Sequence, residues 1–347
     1  MRLRLFITAS IVVLLIVAFL STKNESYSGE STIGPINGVS LVSPPRKISP
    51  SRFADVEKIH ANWVAIIPFG FSREGQPQVY FDHERQWWGE RSDGTCELIK
   101  CSRDYNFKVL LKPHVWVRGQ GWPGEYDLES EEDWQTWEKD YRQYILNYAE
   151  IADSLSIDML CVGTEFRIAG VKREAFWRSL IQEVRTIYDG PLTYASNWDN
   201  FDKISFWDEL DYIGVDAYFP LIEKEQPSIA ELEEGWAPIK QELNAFSAQY
   251  QKPVIFTEYG YQSLKGTAGK HWEIDKSSES IDMQAQADAY QALFNSFWSE
   301  PWFGGGFFWK WHLRTDWGGP ENGAFTPQGK TAEEVITRHF EQYINRQ

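Results

Sequence analysis

The 347-residue sequence has few cysteines and few basic residues, and each shortage excludes a class of protein. Three cysteines are too few for a disulfide-rich fold, and no cysteine–histidine cluster has zinc-site spacing, so we predict no metal and no cofactor. Lysine and arginine total 34 against 50 aspartates and glutamates, for a net charge of −16. A nucleic-acid site needs a cationic face, so nucleic acid is excluded as a partner.

The three cysteines fall into two groups. Cys96 and Cys101 lie close together in a polar segment and are candidates for a small-loop disulfide in an oxidising compartment. Cys161 lies inside an apolar run, which predicts a buried free thiol.

Residues 1–35 have the pattern of an export signal or N-terminal anchor followed by a linker. Arg2 and Arg4 precede an apolar run from Leu5 to Leu20, and a polar stretch follows. No clear small-residue cleavage site follows the run, which is slightly short for a spanning helix of about 20 residues. We therefore expect an exported protein whose N-terminal segment is either cleaved or retained as a membrane attachment.

Aromatic residues make up 16% of the chain, including 17 tryptophans. Part of this content supplies the core, and rings in polar loops are typical platforms for flat-faced ligands. The acidic charge favours a neutral sugar over a nucleobase. Trp87, Trp88 and Trp122 lie in such loops and either extend a binding cleft or pack the loops.

Short apolar runs alternate with amphipathic segments along residues 36–347. The predicted strands are 38–42, 63–69, 108–115, 158–163, 192–196, 212–217, 253–257 and 306–311, and the predicted helices are 51–60, 131–153, 173–188, 229–250, 282–298 and 331–344, with the nineties the weakest helical segment. No glycine-rich phosphate loop follows an early strand, which disfavours an open doubly wound sheet. Eight β-then-α units predict an α/β fold, a single (β/α)₈ TIM barrel.

The active site of such a barrel lies at the carboxyl ends of the strands. Glu165 and Glu258 end the strongly apolar fourth and seventh runs. A carboxylate there is costly to desolvate unless it is paired or functional, with Arg167 a candidate partner for Glu165. Strands four and seven lie on opposite sides of the barrel, so the two side chains can converge to the separation of about 5 Å that a retaining glycosidase needs.

These residues lie in motifs that resemble the clan A glycoside hydrolases, and glycoside hydrolase family 113, the β-mannanases, in particular. The motifs are Gly163-Thr164-Glu165 and Thr257-Glu258-Tyr259-Gly260, supported by Gly38-Val39-Ser40, Leu111-Lys112-Pro113-His114-Val115-Trp116, Ser196-Asn197-Trp198, Val215-Asp216-Ala217-Tyr218-Phe219-Pro220 and Phe308-Trp309-Lys310-Trp311. The resemblance implies that Glu165 is the general acid/base and Glu258 the nucleophile. Thr164 stands where many clan members carry an asparagine that binds the sugar 2-hydroxyl, and Asn197 is our substitute candidate.

The remaining candidates for substrate binding surround the two glutamates. They are Lys112, His114, Trp116, Asn197, Trp198, Asp216, Tyr218, Tyr259, Trp309 and Trp311. Several have a second interpretation: Lys112, His114 and Asp216 either bind sugar hydroxyls or orient the carboxylates, and Tyr218 either bonds the nucleophile or packs in the core. Trp309 and Trp311 share a face by strand alternation, and one of them is expected to lie under the sugar while the other packs in the core.

The sequence therefore predicts a monomeric, retaining endo-β-1,4-mannanase whose substrate is a β-linked polysaccharide or oligosaccharide. Two alternatives stay open. One keeps the mechanism and changes the activity to that of a β-glucanase or an exo-β-mannosidase. The other is a non-catalytic carbohydrate-binding barrel, which has no need of both carboxylates.

Overall fold

The computed structural model describes residues 35–274, 276–277, 280–314 and 316–344. The predicted export segment therefore lies outside the described residues. Within the described ranges, no helix combines the length and the apolarity needed to cross a membrane.

Eight parallel strands close into one barrel, in the order β1-β11-β10-β9-β8-β7-β5-β2, and β2 pairs back with β1. The strands of the chain are β1 (Ile36–Val42), β2 (Trp63–Ile66), β3 (Phe69–Arg73), β4 (Gln76–Tyr80), β5 (Lys108–Leu111), β6 (His114–Arg118), β7 (Met159–Thr164), β8 (Leu192–Asn197), β9 (Tyr212–Asp216), β10 (Val254–Tyr259) and β11 (Phe303–His312). The predicted (β/α)₈ fold is confirmed.

Helices connect the barrel strands and cover the barrel. They are α1 (Ala54–Lys58), α2 (Ser92–Asp104), α3 (Glu131–Ser154), α4 (Arg167–Lys172), α5 (Glu174–Ile187), α6 (Ile229–Tyr250), α7 (Met283–Phe297) and α8 (Thr331–Ile344). The predicted bounds of α6 and α8 are confirmed. Helix α6 begins at a capping box in which Ser228 accepts from the backbone of Glu231 and the Glu231 side chain accepts from the backbone of Ser228.

Two of the predicted strands are each divided in two. The run 63–69 splits into β2 and β3, and the run 108–115 splits into β5 and β6. Pro68 and Pro113 stand at the divisions, and proline cannot donate a ladder hydrogen bond, so the barrel pairing ends there. Strands β3, β4 and β6 form a separate three-stranded sheet, which we call the side sheet.

The segment at residues 92–104 is a helix, α2, and this changes the interpretation of its two cysteines. Cys96 and Cys101 are both free thiols on this helix. Residues five apart on an α-helix point in directions about 140° apart, so the pair does not face across a small loop. The candidate disulfide is therefore not formed in this structure, whereas Cys161 is buried and free as predicted.

The core has two layers, one inside the barrel and one between the barrel and its helices. The interior layer includes Trp63, Met159, Cys161, Ile255 and Phe307. Toward the carboxyl ends of the strands this apolar filling gives way to buried Lys112, Asp216 and Glu258, with Asn197, Asp216 and Glu258 aligned in the ladder across β8, β9 and β10. The barrel thus closes over an apolar floor and presents charged side chains at one mouth.

Candidate active site

Glu258 is held by donors on both carboxylate oxygens. Lys112 Nζ donates to Oε1 at 2.7 Å, and the Tyr218 hydroxyl donates to Oε2 at 2.8 Å. The side chain of Glu258 is only 6% exposed. Both carboxyl oxygens of Glu258 thus accept a hydrogen bond, one of them from a cation.

Lys112 joins Glu258 to a second carboxylate. Its ammonium also donates to Asp216 Oδ1 at 2.9 Å, and Thr257 Oγ1 donates to the same oxygen at 2.7 Å. Burial alone would lower the pKa of Lys112, but Asp216 and Glu258 outweigh it and the pKa is raised, so the residue stays charged. Burial and the neighbouring Glu258 raise the pKa of Asp216 to about 7.

These contacts decide between the two interpretations of Lys112 and Asp216. Both side chains are fully buried and lie behind Glu258. Of the two interpretations, direct contact with the substrate is contradicted, because neither side chain has exposed surface in this structure. The structure assigns them to orienting the carboxylate of Glu258.

His114 lies beside the same carboxylate in a neutral state. Its Nε2 is 3.5 Å from Glu258 Oε1, and burial together with the Lys112 ammonium lowers the pKa of the ring well below its usual value. Lys112 and His114 thus approach the same oxygen of Glu258, and the buried Nε2 of His114 has no hydrogen-bond partner among the described residues.

Glu165 has a different environment at the end of β7. It is partly exposed, and none of the described residues donates a hydrogen bond to its carboxyl oxygens. Arg167, its predicted alternative partner, pairs instead with Glu125 at 2.9 Å and Asp199 at 3.0 Å. Desolvation, followed by repulsion from Asp216 and Glu258, raises the pKa of Glu165 well above its usual value. The group is therefore suited to carry a proton.

The backbone of Glu165 is also unusual. Its φ of 55° lies in the left-handed region, which non-glycine residues seldom occupy. Two hydrogen bonds fix this turn: Glu165 N donates to the carbonyl of Ala195, and Arg167 N donates to the carbonyl of Glu165. Strained backbone of this kind clusters at functional sites, and here it sets the direction in which the carboxyl leaves the strand.

Other predicted residues lie around this mouth. Asn197 is 8% exposed and donates to Asp199 at 3.0 Å. Trp198 stacks on Trp272, with ring centroids 6.3 Å apart and an interplanar angle of 16°. Thr164, which precedes the acid, is buried and donates to the carbonyl of Pro113.

Trp309 faces the mouth. Its ring is partly exposed and lies parallel to His114, with centroids 6.2 Å apart and an interplanar angle of 2°. Trp116 lies farther out, on β6 of the side sheet, and is half exposed. Both rings line one cleft of about 800 Å³ beside the barrel mouth.

The structure places Tyr259 and Trp311, two candidates for substrate contact, in the outer core, so Trp311 is the member of the tryptophan pair that packs there. Tyr259 is fully buried and packs edge-on against Tyr290 and Trp298 outside the barrel, because neighbouring residues of a strand point to opposite sides and Glu258 points inward. Trp311 packs on Phe308 in the same outer layer. The pairing of β11 with β1 skips Lys310, and this bulge reverses the alternation, so Trp309 and Trp311 do not share a face.

Several residues of the site were not singled out by the sequence analysis. His271 and Trp272 approach Tyr218 and Trp198 from the loop after β10. Lys310 lies 5.1 Å from the ring centroid of Trp309, and burial lowers its pKa. Aromatic residues in a polar loop were the available signal for Trp272, whereas the position of Lys310 depends on the bulge. The described residues contain no group of three or more histidines, cysteines or acids placed to hold a metal.

Comparison with solved structures finds whole-chain similarity. A GH113 β-mannanase, AaManA from Alicyclobacillus acidocaldarius, in complex with ManMIm, is 27% identical over 92% of this chain and 99% of that chain, with a TM-score of 0.78. A second structure, of a GH113 β-1,4-mannanase, is 27% identical over 89% and 99% of the two chains, with a TM-score of 0.76.

More distant matches share the fold alone. A β-glucuronidase from Faecalibacterium prausnitzii is 17% identical over 92% of this chain and 51% of its own, with a TM-score of 0.59. A comparison with curated proteins gave no match. The profile of Glycoside Hydrolase Family 113 matches residues 47–330, well over half of the sequence. The chain therefore belongs to glycoside hydrolase family 113 and is a glycoside hydrolase with a (β/α)₈ barrel.

Proposed function

We propose that the protein is an endo-acting β-1,4-mannanase that works with retention of configuration, with Glu258 as nucleophile and Glu165 as general acid/base. The observation that carries this proposal is the contrast between the two carboxyl groups at one mouth. Glu258 accepts hydrogen bonds from Lys112 and Tyr218, whereas Glu165 has a raised pKa. A double displacement needs one ionised and one protonated carboxyl group.

In the first step Glu258 attacks the anomeric carbon while Glu165 gives its proton to the leaving glycosidic oxygen, and a covalent glycosyl-enzyme forms. In the second step Glu165, now ionised, takes a proton from water, which attacks the same carbon and releases Glu258. His114 and Trp309, whose stacked rings are both partly exposed at the mouth, are proposed to hold the sugar at the cleaved bond.

The charge on Glu258 couples the two steps. Repulsion from Glu258 is one of the causes that raise the pKa of Glu165. Esterification of Glu258 removes that negative charge, so the pKa of Glu165 falls after the first step. The same residue can then act as a base in the second step.

The mannan preference rests on the two mannanase structures that share nearly the whole chain. It is tested by incubating the purified protein with mannan, glucomannan and cellulose and identifying the products. We expect mannose-containing oligosaccharides of several lengths from the first two. Cleavage of cellulose alone, or release of single mannose units only, would overturn the substrate or the endo assignment.

Retention is tested by following the anomeric proton of the first-formed product by NMR. A β-anomer that later mutarotates is expected, and an initial α-anomer would overturn the roles of both glutamates.

We further propose that the protein is exported as a monomer, since residues 1–35 carry the pattern of an export signal. Cell fractionation tests the location and distinguishes release from membrane attachment. Light scattering on the purified protein tests the oligomeric state.

A further inference from the structure

One cleft outside the two-carboxylate site lies against the side sheet. It has a volume of about 800 Å³ and is lined by residues of β1, β3, β4, β6 and β11 and of the loop before α2. Six large apolar side chains are exposed in the described residues, and three of them, Tyr80, Trp87 and Trp116, line this cleft. Exposed apolar surface gathered in one place marks a binding site more often than chance exposure does.

The cleft is continuous with the reaction centre. Trp309 and Lys310 line it, and the Trp309 ring stacks on His114, whose Nε2 is 3.5 Å from Glu258. A ligand that covers Trp309 at the mouth can therefore extend over the cleft without leaving the protein surface.

The loop that carries Trp87 is fixed in place. Trp87 N donates to Glu90 Oε2, the Gln86 side chain donates to the carbonyl of Phe69 in β3, and Gly89 N donates to the carbonyl of Pro44 after β1. Trp116 stands on the parallel pair of β3 and β6, which the hairpin of β3 and β4 supports. The aromatic surface is thus held before a ligand binds, which lowers the entropy cost of binding.

The side of the barrel decides which part of the substrate lies there. Glu165 follows β7, the fourth barrel strand, and β11, the eighth, lies directly opposite in the closed ring. An acid protonates the leaving oxygen on its own side, so the departing sugars lie toward β7. The sugars that stay linked to Glu258 then extend in the opposite direction, toward β11 and β1.

Resting on the proposed function, we infer that this cleft binds the distal glycone sugars, those on the non-reducing side of the cleaved bond beyond the sugar that Glu258 attacks. Trp116 and Trp87 supply faces for the C–H surfaces of β-linked mannosyl units. Lys310, which forms no hydrogen bond or ion pair with another described residue, supplies a donor to their hydroxyls. The side sheet is therefore the part of the fold that sets the preferred chain length.

Bond-cleavage frequencies test this inference directly. Mannohexaose labelled with ¹⁸O at its reducing end is digested and the products are identified by mass spectrometry. The label shows how many sugars lie on each side of the cleaved bond. In Trp116→Ala we expect cuts to move toward the non-reducing end, and the ratio of kcat/KM for mannohexaose to that for the shortest cleaved oligosaccharide to fall about tenfold. Trp87→Ala, on a separate loop, should shift the cuts in the same direction.

Trp272→Ala is the matched control, because Trp272 is also half exposed but stacks on Trp198 at the end of β8, on the Glu165 side. It should not move cuts toward the non-reducing end. Identical patterns in Trp116→Ala and Trp272→Ala, or an unchanged pattern in both Trp116→Ala and Trp87→Ala, would overturn the glycone assignment. Trp116→Phe keeps a ring and replaces the alanine variant if that variant unfolds.

The failure of this inference differs from the failure of the proposed function. If the wild-type protein cleaves mannan and the variants cut as it does, only the distal site is wrong. If the wild-type protein cleaves no mannan, the proposed substrate is wrong. Calorimetric titration of Glu258→Gln with mannohexaose and with cellohexaose then tests whether the cleft binds a sugar chain at all. If Trp116→Ala weakens the binding of either hexasaccharide about tenfold, the cleft is a sugar site. If Trp116→Ala leaves the binding of both unchanged, the proposed sugar site is wrong.

Discussion

The carboxyl ends of β10 and β7 carry the same side chain in opposite environments. Glu258 is buried and receives hydrogen bonds from Lys112 and Tyr218, whereas Glu165 keeps some exposed surface and its pKa is raised by the loss of most of its solvation and by neighbouring carboxylates. The difference teaches that the fold, and not the residue type, divides the two proposed roles. One cation and one hydroxyl contact Glu258, and negative charge surrounds Glu165.

The largest effect on activity is expected from replacing Glu258, the buried glutamate. Glu258→Gln should lower kcat on mannan by more than about 10⁴-fold, because no covalent intermediate can form. Initial-rate assays measure the loss, and circular dichroism checks that the fold is kept. A variant that keeps more than a hundredth of the wild-type rate would remove Glu258 as the nucleophile.

Replacing Glu165, the partly exposed glutamate, should reduce activity less. Glu165→Gln is expected to lower kcat/KM on mannan by about 10²- to 10⁴-fold, the usual contribution of a general acid. An aryl β-mannoside with a good leaving group needs no acid, so its first step should proceed. Added azide should then restore turnover by attacking the glycosyl-enzyme and give a β-mannosyl azide, whereas azide acting in place of Glu258 would give the α-anomer.

The pH dependence of activity tests the same difference between Glu165 and Glu258. Because the pKa of Glu165 is raised, the proton stays on at lower pH and is lost as pH rises through that value, and activity should fall on the alkaline side. The alkaline limb of kcat/KM should disappear in Glu165→Gln. An unchanged limb in that variant would assign it to another group.

Removing the cation behind Glu258 should affect stability as well as rate. Lys112→Met leaves Glu258 and Asp216 facing each other without a counter-charge, which should cost about 3–5 kcal/mol of unfolding free energy. Lys172→Met is the matched control, because the Lys172–Asp127 pair is exposed and such pairs contribute about 0–1 kcal/mol. Urea unfolding measures both, and equal losses would contradict a charged Lys112.

The smallest effect is expected from one hydroxyl. Tyr218→Phe removes a charge-assisted hydrogen bond to Glu258 and should lower kcat about 10- to 100-fold with little change in stability. Tyr259→Phe is its control, because the Tyr259 hydroxyl is buried outside the barrel and no described residue bonds it. A loss of rate in Tyr259→Phe would show that our correction of this residue is mistaken.

Most of the framework was predictable because local patterns determine it. Continuous apolar runs identified the eight barrel strands, and helical spacing placed α6 and α8 at their observed bounds. Glu165 and Glu258 could be singled out because each ends an apolar run, where a bare carboxylate is costly. The side sheet was missed, although Pro68 and Pro113 were visible as breaks in the second and third runs.

Contacts between distant segments were not predictable in the same way. Lys112 reaches Glu258 across 146 positions of sequence, and only the closed barrel shows that it lies behind the carboxylate rather than before it. Trp311 was misplaced because a single bulge at Lys310 reverses strand alternation, and a bulge leaves no periodic trace in the sequence.

The sequence by itself determined the barrel, the family resemblance and the two glutamates, because hydrophobic periodicity and short motifs act over neighbouring residues. The tertiary structure alone decided which glutamate meets a cation, which is crowded by negative charge, and which tryptophans lie at the mouth of the barrel. Those properties depend on distances between strands that the chain brings together only when the barrel closes.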